Sequence, residues 1–533
     1  MRGIRRIWRR LYRFFVSFQV ELRGHYSASR IKSLNEYSRS TSTFWAIVIC
    51  TLSPLPCLLV VTLIEIAPMA PPEAGSSANS LFWGRDCLAI ALMTRAIVEQ
   101  FRIIVPGLEI TSIQAVAMPV IASGGATTFM ILMAQFIGFP LPFALVIGIP
   151  VWLFVLVVSF AVFFCQTLSQ NTALRSELFN YIVVLVCQVL LTFVYPAYLY
   201  GFVHVGTLGQ NFYLGLLTLI KLIAKNWMSY FLGTKYDLTP QIMIFNVDVF
   251  NALYVSSSMQ NSKSINTTLL MVVLDALLAW VSMTDIQDLM RDVLLLRRKI
   301  PSNHTLKAAS FVEIALQILK EDQQTGVHLA CRRYNFGVRA LKTSNSSSYS
   351  ENSKGPGADT VPTRVLPATT LRPQPSIAAV EISQPLNRRI SSNEKILDNI
   401  FSDKERRWFV QKTAQVLFTT EFVILVEYTE VIVPFIYSMY MTATYYLPNR
   451  MYYPQLKALD DATFRTNIGN VALFGVAELL SLLVIGYVIK RKIGISMLHM
   501  LSFVLDRGWR IVQSNLFLWI FYTVQNSLEH NGK

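Results

Sequence analysis

The chain has 533 residues, of which 53% are hydrophobic and 15% are charged, and its mean hydropathy is +0.43. Because soluble domains carry about 25% charged residues, this composition excludes an ordinary soluble protein and predicts a membrane protein. The formal net charge is +15, but basic and aromatic residues are not interleaved as on a nucleic-acid-binding surface, so nucleic acid is not an expected partner.

The chain begins with a basic amphipathic stretch. On a helical wheel, apolar residues such as Ile7 and Leu11 share one face. The opposite face holds Arg2, Arg5, Arg6, Arg9, Arg10 and Arg13. These features predict a helix that lies in the headgroup layer, with its arginines on anionic lipids of the cytosolic leaflet. A disordered basic arm and a mitochondrial presequence are open alternatives.

Apolar runs long enough to cross a bilayer follow this arm. They predict an all-α fold, a polytopic transmembrane helical bundle of about ten spans (nine to eleven), because the alternation typical of barrel strands is missing. The ten runs are residues 44–66, 81–105, 112–138, 141–165, 179–203, 212–232, 241–259, 268–284, 412–442 and 467–489. An eleventh run, Ser514–Leu528, is short, so it either spans, re-enters or lies flat.

A long polar segment divides the spans into two groups. Residues 343–398 within it are rich in Ser, Pro, Thr and Gly, which predicts a disordered linker, and Phe311–Asp322 predicts a short helix. The predicted domains are a basic cytosolic arm (1–43), an N-terminal bundle of about eight spans (44–284), a basic cytosolic loop (285–411) and a C-terminal bundle of two to three spans (412–533).

The distribution of Lys and Arg predicts the orientation. With the N-terminus inside, the cytosolic segments hold 34 Lys and Arg and the outside segments hold 4, which is the bias that the positive-inside rule describes. The N-terminus and the long loop are therefore predicted to be cytosolic, in the plasma membrane or an endomembrane. A mitochondrial membrane is the alternative if the arm is a presequence.

The long loop contains a candidate phosphorylation site. Arg388 and Arg389 precede Ser391 at the spacing that basophilic kinases recognise, and a phosphate on Ser391 would add nearly two negative charges. A cytosolic kinase is therefore a candidate partner, in addition to the lipid bilayer. Chance occurrence of so short a pattern is the alternative.

Polar residues recur inside the predicted spans. Because an ionisable group in a bilayer costs a few kcal/mol, such groups indicate a functional site by default. The pathway candidates are Asp248, Asn251, Asp275 and Glu478. A break in span three, at Pro119 and Gly124–Gly125, is expected to expose backbone groups to a substrate. The alternative is that these groups bond to one another across helix contacts and that Pro and Gly are tolerated kinks.

Other charged residues in the spans are arranged on helix faces. Lys221 and Lys225 mark one face of span six, and Arg95 and Glu99 are four residues apart on span two, where they are expected to neutralise one another. Span nine carries three acids, Glu421, Glu427 and Glu430.

One acidic motif suggests an enzyme. Asp285, Asp288 and Asp292 share a helix face beside the membrane, and three carboxylates can chelate magnesium. The motif resembles the Asp-rich motif of intramembrane prenyltransferases, but Thr284 stands where that family has Asn, and a second such motif is missing. The alternative is a solvated helix whose acids face Arg291 and Arg297. We predict no cofactor and no catalytic residue, and the three aspartates are candidates only as metal ligands.

Four stretches carry a resemblance to a known family. They are Ser29–Ser42, Cys50–Val60, Ile64–Trp83 and Phe245–Gln260, and they resemble a lineage-expanded, functionally uncharacterised family of oomycete polytopic membrane proteins. The resemblance extends through both predicted bundles and is lowest in the linker. It implies a multi-span membrane protein from a large paralogous set, and it transfers no catalytic or binding residue.

The sequence thus predicts a multi-pass integral membrane protein, for which transporter or channel-like activity is the functional hypothesis. A non-transporting membrane scaffold or sensor is the main alternative, and a prenyltransferase-like enzyme is the minor one.

Overall fold

The computed structural model describes residues 19–205, 207–260, 265–324, 400–526 and 528–531, and these residues form helices and loops without a strand. The all-α prediction is confirmed. The helices are α1 (Ala28–Ser40), α2 (Thr43–Leu52), α3 (Leu55–Glu65), α4 (Ser80–Ile104), α5 (Gln114–Ile137), α6 (Ala144–Gln170), α7 (Thr172–His204), α8 (Thr207–Leu232), α9 (Thr239–Met243), α10 (Val249–Gln260), α11 (Ile265–Arg297), α12 (Phe311–Gln324), α13 (Asp403–Tyr445), α14 (Asp461–Ile493), α15 (Met497–Arg507) and α16 (Trp509–Asn526).

Several helices begin at side chains that cap free backbone amides. The hydroxyl of Ser27 accepts from Arg30 N at 3.1 Å at the start of α1, and Asn171 Oδ1 accepts from Leu174 N at 3.1 Å at the start of α7. α13 begins with a capping box in which Ser402 is the N-cap residue. Each cap satisfies a donor that the helix itself leaves without an acceptor.

Five helical stretches are long and apolar enough to cross a membrane: Thr43–Glu65, Gln114–Ile137, Ala144–Gln170, Thr172–Phe202 and Asp461–Ile493. Their apolar side chains face outward as much as inward. In α6, only 22% of the most apolar window is buried, and Phe154 and Val162 are exposed. Lipid tails accept such a surface, whereas water does not. This pattern is that of a helical membrane protein.

Contacts between loops define one end of the bundle. Lys235, which follows α8, contacts the carbonyl oxygen of Ile104 at the end of α4 and the carboxylate of Glu177 near the start of α7. Ser27 N donates to Asp237 Oδ1 at 2.8 Å. We call this the arm end, because the N-terminal segment lies there.

A second set of loops meets at the opposite end, which we call the far end. Asn449, which follows α13, donates to the carbonyl oxygen of Glu65 at 2.9 Å and accepts from Met69 N at 3.0 Å. His530 Nε2, which follows α16, lies 2.9 Å from the carbonyl oxygen of Ala70. The loops after α3, α13 and α16 are therefore joined by hydrogen bonds.

Most of the uncertain run Ser514–Leu528 lies in α16, which ends at Asn526 and passes from one end of the bundle to the other. Arg510 at its start ion-pairs with Glu99, five residues before the arm end of α4. His530, just beyond it, belongs to the far end. Trp519 and Phe521 are each only 1% exposed, because α16 packs against α3, α4 and α10. The segment is thus a buried, central helix of the bundle.

The predicted break in span three is wrong. α5 continues as one helix through Pro119 and Gly124–Gly125, and a Cβ on Gly125 would lie 3.3 Å from Val155. Gly125 therefore allows close packing between α5 and α6. The break occurs instead in span seven, where Ile244–Asp248 forms a π-helical turn between α9 and α10.

The arm end extends beyond the predicted span boundaries. α11 continues to Arg297, 13 residues past the predicted end of span eight, and α13 begins at Asp403, nine residues before the predicted start of span nine. α12 confirms the helix predicted at Phe311–Asp322. α12 and α15 both pack on α1. Outside the described residues lie the whole linker 343–398, including Ser391, and the arm residues Arg2, Arg5, Arg6, Arg9, Arg10 and Arg13.

We expect α16 to cross the membrane, which cysteine labelling can test. In a variant without the six native cysteines, a cysteine at Ser77 or Glu529 should react with an impermeant thiol reagent from one side of sealed vesicles. A cysteine at Asp506 should react only from the other side. If positions 529 and 506 react from the same side, α16 does not cross.

Candidate functional site

A buried carboxylate in span seven bonds to two lysines of span six. Lys221 and Lys225 are four residues apart on α8 and therefore share a face. Lys221 Nζ lies 3.1 Å from Asp248 Oδ1, and Lys225 Nζ lies 2.9 Å from Asp248 Oδ2. Asp248 is fully buried, so its charge is balanced by these ammonium groups and not by water.

The π turn sets the position of Asp248. Val249 N donates to Ile244 O, five residues back, at the end of the turn. Asn246, also in the turn, donates from Nδ2 to Ile242 O at 2.6 Å. A π turn inserts one residue into the helical register, which changes the direction of the side chains after it, and such turns are frequent at functional sites.

Three glutamates lie next to Asp248 and its two lysines, and we call the whole group the charge cluster. Lys221 Nζ is also 3.5 Å from Glu430 Oε1. Carboxylate oxygens of Glu427, Glu430 and Glu478 all lie within 4.8 Å of one another, and all three residues are buried. Ser481 Oγ donates to Glu427 Oε2 at 3.1 Å. Lys221 thus stands between one aspartate and a group of three glutamates on α13 and α14.

The N-terminal segment contributes a fifth carboxylate. Glu21 lies 3.9 Å from Lys225 Nζ, and Thr419 on α13 donates to the Glu21 carbonyl oxygen at 2.9 Å. The ring of Phe418 occupies the space that a Cβ at Gly24 would need, so glycine allows the segment to lie close against α13. Burial raises the pKa of the Glu21 carboxyl, and the neighbouring Lys225 opposes this effect.

A cavity of about 140 Å³ lies beside these charges. Its walls come from the N-terminal segment, α8, α11 and α13, and include Glu21, Lys221, Lys225, Glu427 and Glu430. A single water needs about 10 to 15 Å³ of such volume. The cavity therefore has room for several waters or for a cation with part of its hydration shell.

Several carboxylates lie close together beside this cavity. Among the described residues, Lys221 and Lys225 contact Glu21, Asp248 and Glu430, and carboxylate oxygens of Glu427 and Glu478 lie within 4.8 Å of one of Glu430. Removing a carboxylate from water costs several kcal/mol unless an opposite charge compensates it. Three glutamates this close together repel one another when all are ionised, and a bound proton or cation relieves that repulsion, so this charge cluster is a candidate site for either.

The structure brings together some of the pathway candidates but not all. Asp248 and Glu478 belong to the two halves of the cluster, which Lys221 connects. Asn251 is buried on α10, and its Oδ1 has no hydrogen bond among the described residues. Asp275 lies in α11, and its side chain is outside the described part. No sequence signal indicated Glu21, because it follows an arm that was predicted to lie on the membrane surface.

The magnesium site suggested by the sequence does not form among the described residues. Asp285 is buried, whereas Asp288 is exposed, and Asp292 lies 3.1 Å from Lys412. The carboxylates that converge closely enough for a metal ion in the described part are those of the three glutamates, and the aspartates are not among them. The prenyltransferase hypothesis therefore gains no support from geometry.

The far end contains a second buried ion pair with a different character. Arg85 Nη2 and Nη1 lie 2.5 and 3.0 Å from the two oxygens of Glu65. The hydroxyls of Tyr440 and Tyr453 donate to Glu65 Oε1 at 3.0 and 2.7 Å. Burial raises the pKa of the Tyr453 hydroxyl, which keeps it a donor. Because the carboxylate is fully satisfied, this pair is structural.

The predicted pair on span two is present and has a third member. Arg95 Nη1 lies 2.7 Å from Glu99 Oε2, as the four-residue spacing predicts. Arg510 of α16 also contacts Glu99. The pair therefore also attaches α16 to α4.

Comparison with protein-family models, with curated proteins and with solved structures gave no match. The candidate site is therefore defined by its own geometry.

We expect Arg85→Met to destabilise the fold strongly, because it leaves Glu65 buried without a cation. The loss should be about 3 to 5 kcal/mol, measured as thermal unfolding in detergent. Adding Glu65→Gln should recover part of the loss. The control is Arg39→Met, which breaks the exposed pair with Glu313 and should cost less than about 1 kcal/mol. Equal losses for Arg85→Met and Arg39→Met would contradict the structural role.

Proposed function

We propose that this protein is a multi-pass membrane transporter that moves protons or an inorganic cation through the charge cluster of α8, α13 and α14. In this proposal, the ten predicted spans and α16 all cross the bilayer. At 18 residues, α16 is about 27 Å long, which is close to the thickness of the hydrocarbon layer.

The observation that carries the proposal is the shared position of Lys221. It contacts Asp248 on one side and Glu430 on the other, at 3.1 and 3.5 Å. A proton or cation that binds to the three glutamates would replace Lys221 as their counter-charge. Lys221 would then pair with Asp248 alone, so binding changes which helices are linked by charge. A ligand can shift a conformational equilibrium only through such a difference in contacts.

The π turn and the N-terminal segment fit this mechanism. A helix interruption at the depth of a charged site is common in transporters, where it directs polar groups toward the substrate. Glu21 and Lys225 form the boundary of the cavity on the side of the N-terminal segment. Movement of this segment would open the cavity toward the arm end.

We propose that the arm end faces the cytosol, in the plasma membrane or an endomembrane. The basic runs Arg297–Lys299 and Lys490–Lys492 terminate α11 and α14 at this end, which agrees with the positive-inside rule. The proposed interfacial arm, the anionic lipids beneath it, the kinase site at Ser391 and the resemblance to oomycete membrane proteins remain predictions from the sequence.

Flux measurements in proteoliposomes test the proposal. The unmodified protein should move protons, Na⁺ or K⁺ down an imposed gradient, recorded with ion-sensitive dyes. Asp248→Asn and Glu430→Gln should each lower the flux about tenfold or more, because each removes one of the two partners of Lys221. Their protein yield and elution volume in size-exclusion chromatography show whether the fold is retained.

Asp292→Asn is the matched control. This variant makes the same chemical change in an aspartate that pairs with a lysine, Lys412. The pair joins α11 to α13 but lies outside the charge cluster, so the flux of this variant should equal that of the unmodified protein. Flux of all three ions at the level of empty liposomes would contradict transport and favour the scaffold or sensor alternative. Equal flux in all three variants would exclude the charge cluster as the path.

A further inference from the structure

A second cavity, of about 130 Å³, lies elsewhere in the bundle. Its walls come from α4, α5, α6, α7 and α16. Among the residues described around the two cavities, none lines both. The charge cluster does not use this space, so a function for it must be argued separately.

The walls of the second cavity are aliphatic and aromatic. Trp152, Trp519 and Tyr522 line it together with Ile, Leu, Met and Ala side chains. Trp152 Nε1 donates to Thr94 Oγ1 at 2.8 Å, and the Tyr522 hydroxyl donates to the Thr192 carbonyl oxygen at 2.7 Å. These two aromatic residues therefore direct their polar atoms into the protein and contribute mainly ring surface to the cavity.

Small residues create the space. The wall includes Ala89, Ala126, Ala144 and Gly148. A Cβ on Gly148 would lie 3.2 Å from the sulfur of Met130. Larger side chains at these positions would fill the cavity, so the sequence leaves room where close packing is otherwise the rule.

This mostly apolar wall also contains polar side chains, and the first to consider is the amide of Gln188. Gln188 is 2% exposed, and neither its amide nitrogen nor its amide oxygen has a hydrogen-bond partner among the described residues. A buried amide without a hydrogen-bond partner destabilises the fold. That cost is recovered if a ligand in the cavity bonds to the amide.

The second polar group is the carboxylate of Asp86. The described residues contain no hydrogen bond or ion pair to it, and the cation that acts on it electrostatically is its neighbour Arg85. Arg85 bonds to both oxygens of Glu65 and makes no ion pair with Asp86. Within the described part of the chain, Asp86 therefore has no cation in contact with it, and it lines a cavity whose walls are mostly apolar.

We propose that this cavity binds a lipophilic organic cation, with an ammonium group beside Asp86 and an aromatic or aliphatic body against the rings of Trp152, Trp519 and Tyr522. Ammonium groups are attracted both to carboxylates and to aromatic faces. A metal ion fits poorly, because Ca²⁺ and Mg²⁺ require six or more oxygen ligands. A neutral lipid would leave Asp86 without a counter-charge. Gln188 can accept a hydrogen bond from an ammonium that carries an N–H or from a polar substituent, whereas a quaternary ammonium is held by Asp86 and the rings alone.

Binding of radiolabelled benzyltrimethylammonium to the purified full-length protein tests this site, with unlabelled neopentylbenzene as its uncharged isostere. The unmodified protein should bind the cation saturably, and the isostere should displace it poorly. Asp86→Asn should weaken binding about tenfold or more, as expected for loss of one ion pair worth roughly 1.4 kcal/mol. Asp292→Asn, the same change outside the cavity, should bind normally.

A second measurement needs no substitution. Dicyclohexylcarbodiimide modifies carboxyl groups in apolar surroundings, and mass spectrometry of the unmodified protein should show less modification of Asp86 when benzyltrimethylammonium is present. Absence of saturable binding, or equal binding by Asp86→Asn, would overturn the proposal. Displacement by neopentylbenzene as strong as that by the unlabelled cation would do the same, because the cavity would then select for shape and not for charge.

Discussion

Buried charge in a medium without water must be balanced by protein groups, and this constraint determines how the helices are held together. Lipid provides no hydrophobic force that would drive helices toward one another, so polar links carry a larger share of the specificity. The carboxylate of Glu65 bonds to the guanidinium of Arg85 and accepts a hydrogen bond from the hydroxyl of Tyr453. Arg30 lies 2.7 Å from Glu421, 391 residues away in sequence. Such links join helices from both sides of the long loop into one core.

The same constraint separates structural charges from functional ones. Glu65 accepts from one arginine and two tyrosines, and it has no need of a further partner. In the charge cluster, by contrast, Lys221 is shared between Asp248 and Glu430, and the three glutamates lie close together although like charges repel. A fully balanced pair fixes one arrangement, whereas a shared cation permits two. A lysine shared between two carboxylates is therefore the better indicator of a site whose contacts can change.

The sequence predicts the helices well, because long apolar runs in a bilayer have few alternatives to a helix. It also singles out Asp248 and Glu478 as charged residues inside predicted spans, since charge at that depth is costly. It does not predict their partners, because the rotation of each helix depends on packing across the bundle. Two features gave no signal: the π turn at Ile244–Asp248, which has the same composition as a regular helix, and Glu21, which reaches the cavity only through the fold. The opposite error occurred at Pro119, where a helix-breaking residue is accommodated inside α5.

The two cavities share no wall, but a contact made by α16 links the residues around them. Trp519 lines the apolar cavity and stacks on Phe250, with ring centroids 4.3 Å apart. Phe250 is two residues after Asp248, just beyond the π turn. Because packed interiors do not compress, a ligand that displaces Trp519 must also displace Phe250 or its helix. The backbone of a π turn is less stable than that of the α-helix on either side of it, so the turn is the part of this helix whose conformation can change most easily. One stacked pair of rings therefore lies between the apolar cavity and the contacts of Asp248 with its two lysines, so a change at the cavity wall reaches the π turn before any other part of this helix.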